Sequence, residues 1–174
     1  MDKIGKPTDE ILFLDIGDIL TIKDRTRDGN DLDDYKLKLL SQILKSTNFN
    51  IVWISSWIRT IKNIETNVIG NYLTEKKFMY QERILGPIVD IHINPEYDLY
   101  TKDEFDKVKY QLIMEFNKNN KPLKYLVIDS DHICDSKHFL ALDKWDAERN
   151  CGLDIQNTIK IIKNYKEGLY NVSD

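Results

Sequence analysis

Apolar residues in this chain come in short blocks that end on a polar group. Residues 11–14 (ILFL) form the first block, and Asp15 follows it directly. Such a run predicts a buried strand that delivers a carboxylate to the edge of a sheet. Gly17 and Asp18 then predict a tight polar turn. Residues 35–46 set Leu37, Leu39, Leu40, Ile43 and Leu44 among lysines, the period of a helix packed by one face on a sheet. Asp33 or Asp34 is placed to cap its start. Residues 51–55 (IVWIS) read as a second buried strand ending at Ser55, with Trp53 in the core, and residues 125–129 (YLVID) as a third ending at Asp129.

Strand, helix and strand with short connections predict parallel pairing. The expected fold is therefore α/β: a three-layer, open, mostly parallel sheet flanked by helices. Ligands of such sheets bind beyond the carboxyl ends of the strands. Asp15, Ser55 and Asp129 all fall at such ends, so topology alone gathers three polar groups on one edge if the strands are neighbours. A carboxylate in that place can attack phosphorus or hold a metal.

The remaining pattern is less regular. Residues 61–73 carry a helical pattern that Gly70 interrupts, and Gly86-Pro87 predicts a break before a further strand at 88–93 (IVDIHI), turned by Asn94-Pro95. Residues 60–106 thus read as a small insertion or cap-like region within a single domain. Residues 103–117 form a helix with an uneven stripe of Phe105, Val108, Leu112, Ile113 and Phe116. Residues 154–165 form another, beginning after Gly152, with Ile155, Ile159 and Ile162 on one face. The tail, residues 168–174, is expected to fray.

Composition narrows the class. The 174 residues suffice for one core, and 41% hydrophobic with 31% charged residues is an ordinary soluble balance. The net charge of −4 argues against a protein that coats nucleic acid, and no basic stripe marks a strong nucleic-acid-binding surface. A local metal or lysine can still reverse the field for a phosphorylated substrate. Two cysteines, Cys134 and Cys151, make no disulfide framework and read as reduced thiols of a cytosolic protein. The opening MDKIGKPTDE lacks an apolar signal core, and no apolar stretch reaches membrane-spanning length. A cytoplasmic location without a membrane partner is expected. His92, His132 and His138 show no zinc spacing with the cysteines.

Together these strand ends resemble the haloacid-dehalogenase-like (HAD) phosphatase superfamily, in particular its small, cap-poor members associated with phage and nucleic-acid repair. That family's first motif, Asp-x-Asp-Gly-(Val/Thr)-(Leu/Val), corresponds to Asp15-Ile16-Gly17-Asp18-Ile19-Leu20. Its second, a strand ending in Ser or Thr, is matched by Ser55, and the Ser-Trp-Arg continuation of small members by Ser56-Trp57-Ile58-Arg59. The third is a basic residue at a helix start, for which Lys109 fits best and Lys107 is the close rival. The fourth, a strand ending in paired acids, is similar to Tyr125-Leu126-Val127-Ile128-Asp129-Ser130-Asp131. Gly152-Leu153-Asp154 looks like the Gly-Leu-Thr turn of small relatives, with Asp154 as the helix cap. A receiver-like binding domain also pairs acids with a lysine, but the order of Asp15 and Ser55 fits the phosphatases better.

The resemblance implies Mg²⁺-dependent phosphoryl transfer. Asp15 would attack phosphorus and form an aspartyl-phosphate. Mg²⁺ would lie between the Asp15 carboxylate, the Gly17 carbonyl, the phosphate, and Asp129 or Asp131. Ser55 would hold a phosphoryl oxygen, and Lys109 would neutralise charge. Ser56, Trp57, Arg59 and Lys107 would border the substrate, a phosphorylated small molecule or a nucleic-acid end. The site would then work in the cytoplasm, the host's for a phage-encoded chain. The family's second Asp protonates the leaving group, and here that position is Gly17, with the acid one place on at Asp18. Two expectations follow. Either the chain is a phosphatase slowed by the lost acid, or it binds Mg²⁺, phosphate or a protein partner without turnover.

Overall fold

A computed structural model describes residues 9–21, 32–54, 73–88, 101–142 and 152–172. Five parallel strands form one sheet: β1 (Glu10–Leu14), β2 (Asn50–Trp53), β3 (Ile84–Pro87), β4 (Lys124–Asp129) and β5 (Phe139–Ala141). Their order is β3-β2-β1-β4-β5, so the chain builds outward from β1 on one side and then crosses to the other. β1 is central and β4 is its neighbour, which makes the gap between their carboxyl ends the topological switch point.

Helices cover both faces. The helices among the described residues that matter here are α1 (Gly17–Leu20), α2 (Asp34–Ser46), α3 (Lys102–Asn120) and α4 (Ile155–Lys166). Strand side chains alternate between faces. Leu12, Leu14, Ile51, Trp53, Leu126 and Ile128 therefore share one core with Leu40 and Ile43 of α2 and Ile161 of α4. Ile11, Phe13, Val52, Tyr125 and Val127 share the other with Leu112 and Ile113 of α3. Helices on both faces explain why β1 is an apolar run rather than an alternation. Each long helix starts on a side-chain cap. Asp33 accepts from the Tyr35 N–H at 2.7 Å, Thr101 forms a reciprocal capping box with Glu104, and Asp154 accepts from the Asn157 N–H at 2.7 Å.

Four details differ from the sequence reading. The residues expected to turn, Gly17 and Asp18, open the short helix α1 instead. The strand expected at 88–93 is preceded by one at Ile84–Pro87, across the anticipated break, while 89–93 lie outside the described residues. Gly86 takes φ +111° there, the register slips past Leu85, and Pro87 is tolerated because β3 ends the sheet. In α4, Ile155 and Ile159 are exposed, and Thr158 and Ile161 are buried, with Ile162 and Tyr165 packed beside them. The inward stripe follows 158, 161, 162 and 165, and Thr158 can be buried because its hydroxyl donates to the Asp154 carbonyl at 2.7 Å. Finally, the tail does not fray through Val172. Tyr170 is buried, its carbonyl accepts from the Tyr125 N–H, and the Val172 N–H donates to the Leu123 carbonyl at 2.9 Å.

Candidate functional site at the switch point

Register puts two carboxylates side by side. Leu14 pairs with Ile128, so Asp15, the residue after β1, stands beside Asp129, the last residue of β4. The Asp15 N–H continues the ladder by donating to the Ile128 carbonyl at 2.9 Å. Alternation sends both side chains to the same face as Phe13 and Val127, the face that α3 covers. α3 delivers Lys109 to the same place, one turn before Leu112 and Ile113. Asp15, Asp129 and Lys109 are all buried, at 7%, 2% and 2% exposure.

The three groups form one charged cluster. The Lys109 ammonium donates to Asp129 Oδ2 at 2.7 Å and lies over the Phe105 ring, 5.2 Å from its centroid. The Asp131 N–H donates to Asp129 Oδ1 at 2.9 Å, and the Ile16 N–H to Asp15 Oδ1 at 2.8 Å. Burial alone would push the Lys109 ammonium to lose its proton. The charges of Asp15 and Asp129 outweigh it and hold the lysine above its usual range. Burial, reinforced by the Asp15 charge, pushes Asp129 up to about 6 against the pull of Lys109. Both groups thus shift toward keeping protons: Asp129 first because it is buried and then because Asp15 is beside it, Lys109 because the two carboxylates outweigh its burial. The cluster carries surplus negative charge that a cation would relieve.

Of the two rival lysines, Lys109 is at the strand ends and Lys107 is exposed on α3. Asp131 lines a small recess with Asp129, His132, Cys134 and Phe139. Asp18 falls in α1, and its side chain is outside what the structure describes; Ser55, Ser56, Trp57 and Arg59 also lie outside the described residues. β2 ends at Trp53, and the Ile54 N–H donates to the Leu14 carbonyl at 3.1 Å, which brings the chain to the level of Asp15 one residue before Ser55. The histidines separate by role. His138 is buried, stacks on the Tyr125 ring and shares a 2.9 Å hydrogen bond with the Tyr125 carbonyl, whereas His132 pairs with Asp135 at the surface.

The donors suit a small hard cation in part. Among the described residues no three His, Cys, Asp or Glu side chains converge. Asp15 and Asp129 nevertheless offer hard oxygens, and each Asp129 oxygen, though already accepting one bond, keeps a second lone pair. The Gly17 carbonyl differs. It accepts both the Thr21 N–H at 3.2 Å and the Thr21 hydroxyl, so both its lone pairs are taken.

Gly17 itself has no conformational necessity, since its φ is not in the left-handed region. A Cβ built on it would meet Asp15 Oδ2 at 3.6 Å and Oδ1 at 4.0 Å, ordinary contacts. A side chain at position 17 would therefore start beside the Asp15 carboxylate, and here that space is left open. Two participants were not legible beforehand as site residues: Phe105, four residues before Lys109 on one helix face, and Thr21. Lys36, one of the lysines among the apolar residues of α2, is buried rather than exposed. It is 4% exposed and donates to the Thr21 carbonyl at 3.0 Å. Its spacing from Leu40 and Ile43 was the available signal.

Against protein-family models, residues 11–154 match the HAD domain in Swiss Army Knife RNA repair proteins. No curated protein and no solved structure matches the chain.

Proposed function

Since the chain belongs to the HAD domain family of Swiss Army Knife RNA repair proteins, we propose that it is a phosphohydrolase that removes a phosphomonoester from a nucleotide or a nucleic-acid end. The observation that carries this reading is the buried trio of Asp15, Asp129 and Lys109 at the switch point of the sheet. A carboxylate Oδ of Asp15 attacks phosphorus, the bond to the leaving oxygen breaks, and an aspartyl-phosphate forms. Water then attacks that phosphorus, releasing inorganic phosphate and returning the Asp15 carboxylate. Lys109 neutralises charge on the transferring group while its bond to Asp129 keeps it aimed along the strand ends. Ser55, Ser56, Trp57 and Arg59 follow β2 in sequence and are assigned to the phosphate and its substituent. Mg²⁺, held by Asp15 and Asp129 with Asp131 nearby, would supply charge neutralisation at the phosphoryl oxygens.

Gly17 shapes the chemistry. With no side chain there, the departing oxygen leaves without a proton from that position, so good leaving groups are favoured. The same open space favours a second reading, in which the domain binds Mg²⁺ and phosphate, or a partner, without turnover.

Phosphate release in Mg²⁺ separates the two. A 5′- or 3′-phosphorylated oligoribonucleotide and an activated aryl phosphate serve as substrates. Release from both, lost in Asp15→Asn, supports the phosphohydrolase. Release from the aryl phosphate alone supports the same nucleophile without its acid. Release from neither, by a folded protein, supports binding without turnover.

A further inference from the structure

Lys109 carries its ammonium, with three N–H donors, on a flexible stem. Carboxylates stand beside it at the ends of adjacent strands, and the charges of Asp15 and Asp129 both act on it. It sits on one of them. Its Nζ donates to Asp129 Oδ2 at 2.7 Å, and among the described residues Asp129 is the one acid it pairs with. Asp15 is bonded differently. Its Oδ1 accepts the Ile16 N–H at 2.8 Å, and its Oδ2 accepts no hydrogen bond among the described residues. A second partner restrains the ammonium further, the ring of Phe105, whose centroid is 5.2 Å from Nζ. The quadrupole of an aromatic face attracts a cation at that range, most strongly where water is excluded. Lys109 is buried, so water competes little. Phe105 stands one helical turn before Lys109 on α3 and packs on the core of Phe13, Val127 and Leu112, which anchors the ring where the ammonium meets it.

From this arrangement we infer that Phe105 is a positioning residue: its ring holds the Lys109 ammonium on Asp129 and off Asp15, which leaves Asp15 an oxygen free to meet phosphorus. Without the ring, the flexible stem can carry the ammonium across to Asp15. A charge-assisted bond there would occupy the oxygen that attacks. The role in attack rests on the phosphohydrolase reading, whereas the contact of ring and ammonium does not.

The test drains the ring face of negative charge and keeps the ring. Progressively fluorinated phenylalanines are placed at position 105, alongside Phe105→Leu and Phe105→Tyr. Denaturant unfolding measures the contact without turnover, and kcat and KM for an activated aryl phosphate in Mg²⁺ measure the role. The folding constant and kcat should both fall stepwise with fluorine, by about fivefold across the series, with KM little changed. Fluorine also makes the ring more apolar, which favours burial, so a fall reports the lost attraction. Phe105→Leu should fall as far, and Phe105→Tyr, which keeps the ring face, should match wild type. A folding constant that stays flat or rises along the series overturns the contact and the inference with it. A falling folding constant with an unchanged kcat overturns the role in attack. Equal losses of kcat in Phe105→Leu and Phe105→Tyr overturn it too, since packing rather than the ring face is then the cause. A falling folding constant in proteins that release no phosphate, wild type included, overturns the phosphohydrolase reading and the role in attack, and leaves the contact standing. If the most fluorinated protein does not fold, the lighter members still give the trend.

Discussion

Replacing Gly17 with Asp restores an acid at the position where the leaving oxygen needs one. The backbone accepts the change: φ at Gly17 is not left-handed, and the new Cβ would stand 3.6 Å from Asp15 Oδ2, with no closer contact. A carboxyl group there would begin beside the Asp15 carboxylate. It would join two carboxylates that already share one ammonium. Like charges at close range raise a carboxyl pKa, which suits a group that must hold a proton until the leaving oxygen takes it. General acid help is worth roughly 10²–10⁴-fold in rate, or about 3–5 kcal/mol of barrier. The assay is steady-state phosphate release in Mg²⁺, comparing a phosphorylated oligoribonucleotide with an activated aryl phosphate. Gly17→Asp should raise kcat on the oligoribonucleotide by about that factor and change the aryl phosphate rate little, because an activated leaving group needs no proton. Two outcomes refute the reasoning. One is an unchanged oligoribonucleotide rate in a folded variant that keeps its aryl activity. The other is an equal rise on both substrates.

Other expectations concern the cluster and the core. Lys109→Met leaves Asp15 and Asp129 buried without their counter-ion, so denaturant titration at pH 7 should show a loss of about 3–5 kcal/mol. The loss should shrink toward pH 4, because Asp129, pushed up to about 6, is protonated there and no longer leaves an unpaired charge in the core. Burial holds the His138 imidazole below its ordinary pKa, so NMR titration should find it neutral at pH 6.5. The stability it contributes is present above that pH and is lost as pH falls through its lower folded value; a His138 signal titrating above 6.5 contradicts this. Ile161→Ala should cost about 2–5 kcal/mol in thermal or denaturant unfolding, and Ile159→Ala less than about 0.5. Equal costs would mean that α4 presents a different face to the sheet.

The apolar runs gave the architecture because helices on both faces bury β1, β2 and β4 past their first residues, which writes the strands as uninterrupted blocks, two of them ending in Asp15 and Asp129. β3 was harder to read. It is a short edge strand of Ile-Leu-Gly-Pro whose half-exposed residues carry no strong period, and whose Gly86-Pro87 reads locally as a break. The α4 face was misjudged because three isoleucines outweighed Thr158, a polar residue that can be buried once its hydroxyl bonds back to Asp154. At the site, Asp15 and Asp129 were legible from their places at the ends of strands. Choosing between Lys107 and Lys109 needed the rotation of α3 against the sheet, which fixes the buried one. The bond from Thr21 to Gly17 is the local i→i−4 bond of a helical threonine, whereas the bond from Lys36 to Thr21 is tertiary and no local pattern announces it.

The central claim is that Asp15 is the nucleophile of a phosphohydrolase. Its most direct test is acid-quenched mass spectrometry of the protein mixed with an activated aryl phosphate in Mg²⁺, followed by peptide mapping. The account predicts a transient phosphoryl adduct on the peptide carrying Asp15, absent in Asp15→Asn, which also releases no phosphate. Phosphate release that persists in Asp15→Asn, or an adduct on another residue, would contradict it.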